Sequence, residues 1–266
     1  MGRVAVDPAA LRMHSPAPYP LPPSTPMPLQ KRTPRAAALV AATVALAAAA
    51  AAACVPVMRP VMRADSSVLF RHATNRKVVA LTLDDGPFAG TTEQLLDVLR
   101  RHGARATFFV IGSHAAQHPE AVRRMLREGH EVAHHMWVDT PSAELQPADF
   151  DEHFERTDSV LRALGAEPHL FRPGSGRFNP HKLQRLRDRE YRGVLGDVYP
   201  FDAGPSTPGM SYDLIRASLR PGSIIILHDG PKRGPRTVQV LNRLLPELKQ
   251  AGWEVVTVSE LVPPAR

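Results

Sequence analysis

The chain has 266 residues, of which 43% are hydrophobic and 22% are charged, a composition typical of a globular protein with one substantial domain. Most of its net charge of +7 comes from residues 1–58, which hold five Lys or Arg against one acid, so the remainder predicts no nucleic-acid partner. The single cysteine, Cys54, excludes an internal disulfide and a zinc site built from cysteines.

Residues 1–65 are predicted to lie outside the fold. Residues 15–34 are rich in proline and cannot form a packed core, and Lys31, Arg32 and Arg35 precede an uncharged Ala/Val/Leu-rich run at 36–58. A positive flank before an apolar run of about 20 residues is the layout of a signal peptide or signal-anchor. Three interpretations stay open: a cleaved signal, a single-pass membrane anchor, or an organelle transit sequence. We favour export or anchoring, with 66–266 as the folded domain.

From residue 66 onwards, apolar β-branched runs alternate with amphipathic segments. The runs predict seven strands, at 78–83, 106–112, 130–134, 169–171, 193–196, 223–228 and 253–258. Helix start and stop signals place helices from Thr91 to Gly103, from Pro119 to Gly129, at 148–164 and at 236–250. Repeated β–α units predict an α/β fold, a distorted or incomplete (β/α) barrel of about seven parallel strands with outer helices. The first strand is not followed by Gly-x-Gly-x-x-Gly, which argues against a dinucleotide-binding sheet.

Polar residues follow the carboxyl ends of five predicted strands, where sites form in such folds. They are Asp84 and Asp85 after the first strand, His135 and Asp139 after the third, Arg172 after the fourth, Asp197 and Asp202 after the fifth, and His228 at the end of the sixth. A metal with imidazole and carboxylate ligands and an open position activates water, and a histidine beside it can protonate a leaving group. This convergence indicates hydrolytic chemistry more strongly than any one motif.

The stretch GHEVAHHMWVD, residues 129–139, is compatible with two different metal sites. His130 to His134 spell the His-Glu-x-x-His of zinc proteases, which requires a helix. Gly129 better ends a helix, and the alternation after it predicts a strand, in which residues four apart lie about 13 Å from each other, too far for one ion. We therefore expect His135 to bind metal instead.

Four motifs resemble those of the polysaccharide deacetylases, carbohydrate esterase family four, and occur in that family's order. They are TLDDGP at 82–87, GHEVAHHMW at 129–137, FRPGSG at 171–176 and GSIIILHD at 222–229. The resemblance covers residues 75–260. It implies a distorted (β/α) barrel that removes N-acetyl groups, sometimes O-acetyl groups, from sugar polymers with a divalent metal, usually zinc.

The resemblance implies a role for each matching residue. The catalytic set is Asp84 as general base, Arg172 holding that base ionised, His228 as general acid, and Asp197 or Asp202 orienting His228. The expected substrate contacts are the backbone N–H of Ser175, the aliphatic side chain of Ile226 in the acetyl pocket, and Trp137, which is equally compatible with packing or a sugar platform. The implied substrate is a polymer or oligomer containing N-acetylglucosamine, of the chitin or peptidoglycan type.

The sequence departs from the family at the second metal histidine, where Asp139 stands four residues after His135. We expect Asp85, His135 and Asp139 to hold one ion: Zn²⁺ first, with Mn²⁺, Fe²⁺ or Co²⁺ more acceptable than at a two-histidine site because of the second carboxylate. Ser175 and Ala203 replace aromatic residues of the family. These changes leave open a small linear amide or an O-acetyl ester as substrate and, less favoured, a non-catalytic carbohydrate-binding module. No pattern indicates an oligomeric state.

Overall fold

The computed structural model describes residues 68–262, and every statement on structure below concerns these residues. The predicted leader and the apolar run 36–58 lie outside them. Within 68–262, none of the helices has the length and apolar character needed to cross a bilayer.

Eight strands form one parallel sheet. They are β1 Val68–Leu69, β2 Val78–Asp84, β3 Thr107–Val110, β4 Glu131–His134, β5 Leu170–Phe171, β6 Arg192–Val194, β7 Ile224–His228 and β8 Glu254–Val256. Their order is β1-β6-β5-β4-β3-β2-β7, and β8 pairs with the first residues of β2. The seven predicted strands are confirmed to within two residues at each end; the two-residue β1 had not been predicted.

The sheet curves round into an incomplete barrel. Val198, after β6, forms a parallel bridge with Ile225 of β7, and Arg71, after β1, forms an antiparallel bridge with Ser223. These bridges join the two edges of the sheet with far fewer hydrogen bonds than a full strand pair would supply. The predicted distorted (β/α) barrel is therefore confirmed.

Helices surround the sheet. They are α1 Thr91–His102, α2 Gly112–Gln117, α3 Pro119–Arg127, α4 Pro147–Ala163, α5 Pro180–Arg187, α6 Pro208–Ser218, α7 Gly234–Gln250 and α8 Val258–Leu261. Short 3₁₀ turns cover Ser142–Glu144 and Gly174–Gly176. At the start of α1 the Glu93 side chain accepts the Gly90 N–H at 2.6 Å, and left-handed Gly103 ends the helix. Helix α7 continues through Pro246 to its end.

The core lies on both faces of β2, whose seven residues are all buried. On the outer face Leu81 and Leu83 pack with residues of α1 and α7, such as Leu95 and Leu241. Burying a leucine side chain stabilises a fold by about 1.5–3 kcal/mol. This fully buried strand carries Asp84 at its end, so the fold holds that carboxylate at the edge of its core.

Candidate active site

The carboxyl ends of the central strands open into one cavity of about 530 Å³. Parallel strands end at the same edge of a barrel, which is why residues distant in sequence meet there. Eight of the predicted site residues line this cavity: Asp84, Asp85, His135, Asp139, Arg172, Ser175, Ile226 and His228. The predicted site residues thus make up eight of the 17 residues that line the cavity.

Asp84 is held by a buried arginine. Arg172 Nη1 donates to Asp84 Oδ1 at 2.5 Å and to Thr82 Oγ1 at 2.7 Å, and its Nε donates to Val194 O at 3.3 Å. Burial lowers the pKa of Arg172, while the charge of Asp84 opposes that shift. The buried Arg172 Nη2 has no hydrogen-bond partner among the residues described. A buried unpaired N–H is costly, so this donor adds to the free-energy cost of burying the arginine.

The Asp85 side chain points away from that of Asp84, although the two residues are adjacent in sequence. Its backbone is left-handed, with φ of 75°, which turns the two carboxylates apart. Asp85 Oδ1 lies 3.4 Å from His135 Nε2, and its Oδ2 accepts a hydrogen bond from Arg233 Nη1. Burial raises the pKa of Asp85, but the hydrogen bond from His135 and the surrounding positive charges outweigh burial and lower it to about 2. The carboxylate is thus ionised.

Asp85 and His135 fit the donor set of a metal site. His135 Nδ1 lies 2.8 Å from the carbonyl oxygen of Arg172, an acceptor that requires a proton on Nδ1. The second ring nitrogen, Nε2, faces the Asp85 carboxylate, and loss of its proton would free a lone pair for a cation between the two groups. The Asp139 side chain is exposed on the cavity wall, and within 68–262 no three His, Cys, Asp or Glu side chains stand close enough to share an ion. The structure therefore assembles two of the three expected ligands.

His228 is oriented by Asp202. Its Nδ1 lies 3.0 and 3.1 Å from the two Asp202 oxygens, and its backbone N–H donates to Oδ2 at 2.8 Å. Burial lowers the pKa of His228, but the hydrogen bond and charge of Asp202 outweigh burial and raise it. Asp197 instead accepts the Ile224 N–H at 3.0 Å and the Ser223 hydroxyl at 3.2 Å, at the start of β7. Of the two candidates, only Asp202 contacts His228.

Trp137 lies outside the cavity lining, so its substrate-binding interpretation is not supported. The Arg156 guanidinium stacks over its ring at 3.9 Å, and Gly112 leaves the space that the ring fills. Packing is the alternative that the contacts favour for Trp137.

The His-Glu-x-x-His stretch forms a strand, as predicted, and its histidines have separate partners. His130 accepts the Ala106 N–H at 3.2 Å, whereas His134 Nε2 lies 3.0 Å from Phe154 O and its ring stacks on the Phe154 ring. Burial lowers the pKa of both histidines to about 4. Both histidines are therefore neutral, buried residues, and they share no hydrogen-bond partner in the described part of the chain.

Four residues at or beside the site were assigned no role from the sequence: Arg233, Tyr199, Phe201 and Asp229. Tyr199 lines the cavity 6.1 Å from the His228 ring and meets Phe201 edge-on at 5.0 Å. Buried Asp229 accepts hydrogen bonds from Thr91, Thr92 and the Gly230 N–H, and so ties the start of α1 to the loop after β7. Asp229 directly follows His228, a signal that could have been used. Nothing local distinguishes the other three from surface residues.

Comparison with known proteins gives concordant matches. The family model described as polysaccharide deacetylase matches residues 71–194. A Bacillus cereus peptidoglycan-N-acetylglucosamine deacetylase is 31% identical over 208 residues, which is 77% of this chain and 98% of the relative. A Bradyrhizobium chitooligosaccharide deacetylase is 33% identical over 196 residues, covering 69% and 90%. A crystal structure of a peptidoglycan N-acetylglucosamine deacetylase in complex with 4-naphthalen-1-yl-N-oxidanyl-benzamide superposes with a TM-score of 0.71 and 27% identity, covering 75% of this chain and 94% of the other.

Proposed function

The chain belongs to the polysaccharide deacetylase family, and from this premise we propose that it is a metal-dependent hydrolase that removes N-acetyl groups from a polymer or oligomer containing N-acetylglucosamine. The observation that carries the proposal is the register of β2 and β7, in which Asp84 is paired with His228. Neighbouring strands lie about 4.8 Å apart, so a carboxylate and an imidazole face one small volume. One is held by Arg172 and the other by Asp202. That is the arrangement of a base and an acid acting on the same bond.

In the proposed reaction Asp84 accepts the proton of the attacking water. The Arg172 guanidinium engages one oxygen of Asp84, so the other stays available to the water. His228 donates its proton to the departing amine. Because Asp202 engages Nδ1, the donating nitrogen is Nε2, and the carboxylate favours the charged imidazolium before the transfer.

We propose that Asp85 and His135 bind the metal, with Asp139 joining as the third ligand. A divalent ion held there would polarise the acetyl carbonyl and activate water. The ionised Asp85 and the position of His135 Nε2 beside it support this assignment, and Zn²⁺ is the first candidate because it accepts mixed O and N ligands. For Asp139 the support is its position on the same cavity wall.

A sugar substrate is supported by the surface at the cavity mouth. Tyr199 and Phe201 are 43% and 42% exposed, which is unusual for large aromatic side chains and places an apolar platform beside His228. Ile226 lines the cavity and offers an aliphatic wall to an acetyl methyl group. Gly196 makes room for Ile226, because a Cβ there would come within 2.9 Å of its side chain.

Acetate release from acetylated chitooligosaccharides, peptidoglycan and xylan tests the proposal, with Zn²⁺, Mn²⁺ or Co²⁺ added to metal-stripped protein. We expect release from the N-acetylated substrates, loss of release in Asp84→Asn and His135→Ala, and retention in His130→Asn. Release from O-acetylated xylan alone would favour the ester alternative. Release that survives Asp84→Asn would overturn the assignment.

We also propose that residues 36–58 direct the chain to export or anchor it in a membrane. The support is the uncharged run behind Lys31, Arg32 and Arg35. Fractionation of cells expressing the full chain would test this: protein found only in the cytosol would contradict it.

A further inference from the structure

Arg233 brings a second positive charge into the cavity, in direct contact with a proposed metal ligand. Its guanidinium donates to Asp85 Oδ2, while Oδ1 of the same carboxylate faces His135 at 3.4 Å. Both oxygens of Asp85 are therefore engaged by side chains. An ion that binds Asp85 must share the carboxylate with Arg233 or displace its hydrogen bond.

The position of Arg233 is built into the fold. It caps the start of α7, where Gly234 N–H donates to Gly230 O at 2.7 Å and Thr237 Oγ1 donates to His228 O at 2.7 Å. Gly234 also packs against Thr91 so closely that a Cβ would come within 2.7 Å of it. The start of α7 is thus bonded to the end of β7. These contacts hold the backbone of Arg233 at the edge of the cavity.

The guanidinium is nevertheless much more open to solvent than the carboxylate it contacts. Its side chain is 36% exposed, whereas Asp85 is only 8% exposed, so the arginine can withdraw towards solvent while the carboxylate cannot. Like charges repel strongly where water is partly excluded. A divalent cation on Asp85 and the guanidinium on the same group would therefore oppose each other.

We propose that Arg233 is a built-in competitor for Asp85, which neutralises this carboxylate in the metal-free chain and weakens the binding of a divalent metal. The inference rests on the metal site proposed above. It predicts that removing the charge of Arg233 strengthens metal binding. A supporting hydrogen-bond donor to a ligand has the opposite effect, because its removal weakens binding.

The test is a titration of metal-stripped full-length protein with Co²⁺, followed by visible absorption, and with Zn²⁺, followed by calorimetry. We expect Arg233→Ala and Arg233→Gln to lower the Kd by about tenfold or more, since both remove the charge. Arg233→Lys, which keeps a charge, should stay close to wild type. The matched control is Lys232→Ala, which removes an exposed positive charge one residue away.

An unchanged or higher Kd in both Arg233→Ala and Arg233→Gln would overturn the competition. Equal tightening in Lys232→Ala would also overturn it, because the effect would then be one of general charge. Asp85→Asn separates the two proposals: if it abolishes Co²⁺ binding, the metal site stands whatever Arg233 does. If wild type and Arg233→Ala both fail to bind Co²⁺ or Zn²⁺, the metal site and the competition fall together.

Discussion

The Asp202 carboxylate contacts His228 at two points: it accepts the backbone N–H at 2.8 Å and lies 3.0 Å from the ring Nδ1. This double contact fixes both the main chain at the end of β7 and the orientation of the imidazole. The carboxylate comes from the loop after β6, whose residue Val198 bridges to β7. The closing edge of the barrel therefore supplies the group that prepares the proposed acid.

Asp202→Asn should lower kcat by about 100-fold, because the general acid loses the charge that orients it and favours its protonated form. Burial lowers the pKa of His228 and Asp202 raises it, so the variant should lose the acid's proton at lower pH. The alkaline limb of the pH profile of kcat should move to lower pH. Asp197→Asn is the matched control, expected to change the melting temperature more than kcat; equal losses of kcat would contradict the assignment.

Arg172→Met should destabilise the fold by about 3–5 kcal/mol, because it leaves the buried Asp84 without its partner. The double variant Arg172→Met/Asp84→Asn should recover part of that loss, since the uncompensated charge is then gone. Urea denaturation of the wild type, both single variants and the double variant measures the coupling. Strictly additive losses would mean that this pair does not stabilise the fold.

The pH dependence of stability should report the buried histidine His130. Burial lowers its pKa in the folded state from 6.5 to about 4, so between these pH values the unfolded chain takes up a proton that the folded chain does not. The free energy of unfolding should therefore fall as the pH drops from 6.5 towards 4, by at most about 3 kcal/mol from this group. At higher pH His130 is neutral in both states and contributes no pH dependence.

His130→Asn should flatten that fall, because Asn offers an oxygen to the Ala106 N–H and does not titrate. Part of the slope should persist, since burial lowers the pKa of His134 in the same way. Urea denaturation at several pH values compares the variant with wild type and with His181→Asn, which alters an exposed histidine of α5. A slope identical to wild type in His130→Asn would refute the prediction.

Tyr199→Ala should reduce kcat/KM on an N-acetylated tetrasaccharide by about fivefold, through KM, because Tyr199 lines the cavity and a stacked aromatic surface contributes on the order of 1 kcal/mol. The same substitution should leave the hydrolysis of a small acetamide unchanged. Met210→Ala is the control, because Met210 is 48% exposed but lies on α6 outside the cavity lining. An equal loss on both substrates would indicate damage to His228 or Asp202 rather than a lost sugar contact.

The strands, and the polar residues at their carboxyl ends, were predictable because their signals are local. A run such as 223–228 is apolar because both of its faces are buried, and parallel strands end at one edge, so residues such as Asp84 and His228 had to converge. Gly129 and the alternation after it also favoured a strand over a zinc-binding helix at His130–His134, and β4 confirms it.

Only the tertiary structure decided which side chains are partners. Asp197 and Asp202 look equivalent in sequence, yet the path of the loop after β6 turns one to the start of β7 and the other to its end. The Trp137 ring packs against Arg156. Arg233 donates a hydrogen bond to Asp85, from which it is separated by 148 positions in the sequence. Apolar periodicity can be read from the sequence, because the tendency of each residue to be buried follows from its own side chain. The partner of a charged group depends on where folding places a second charge, and that is a property of the assembled barrel.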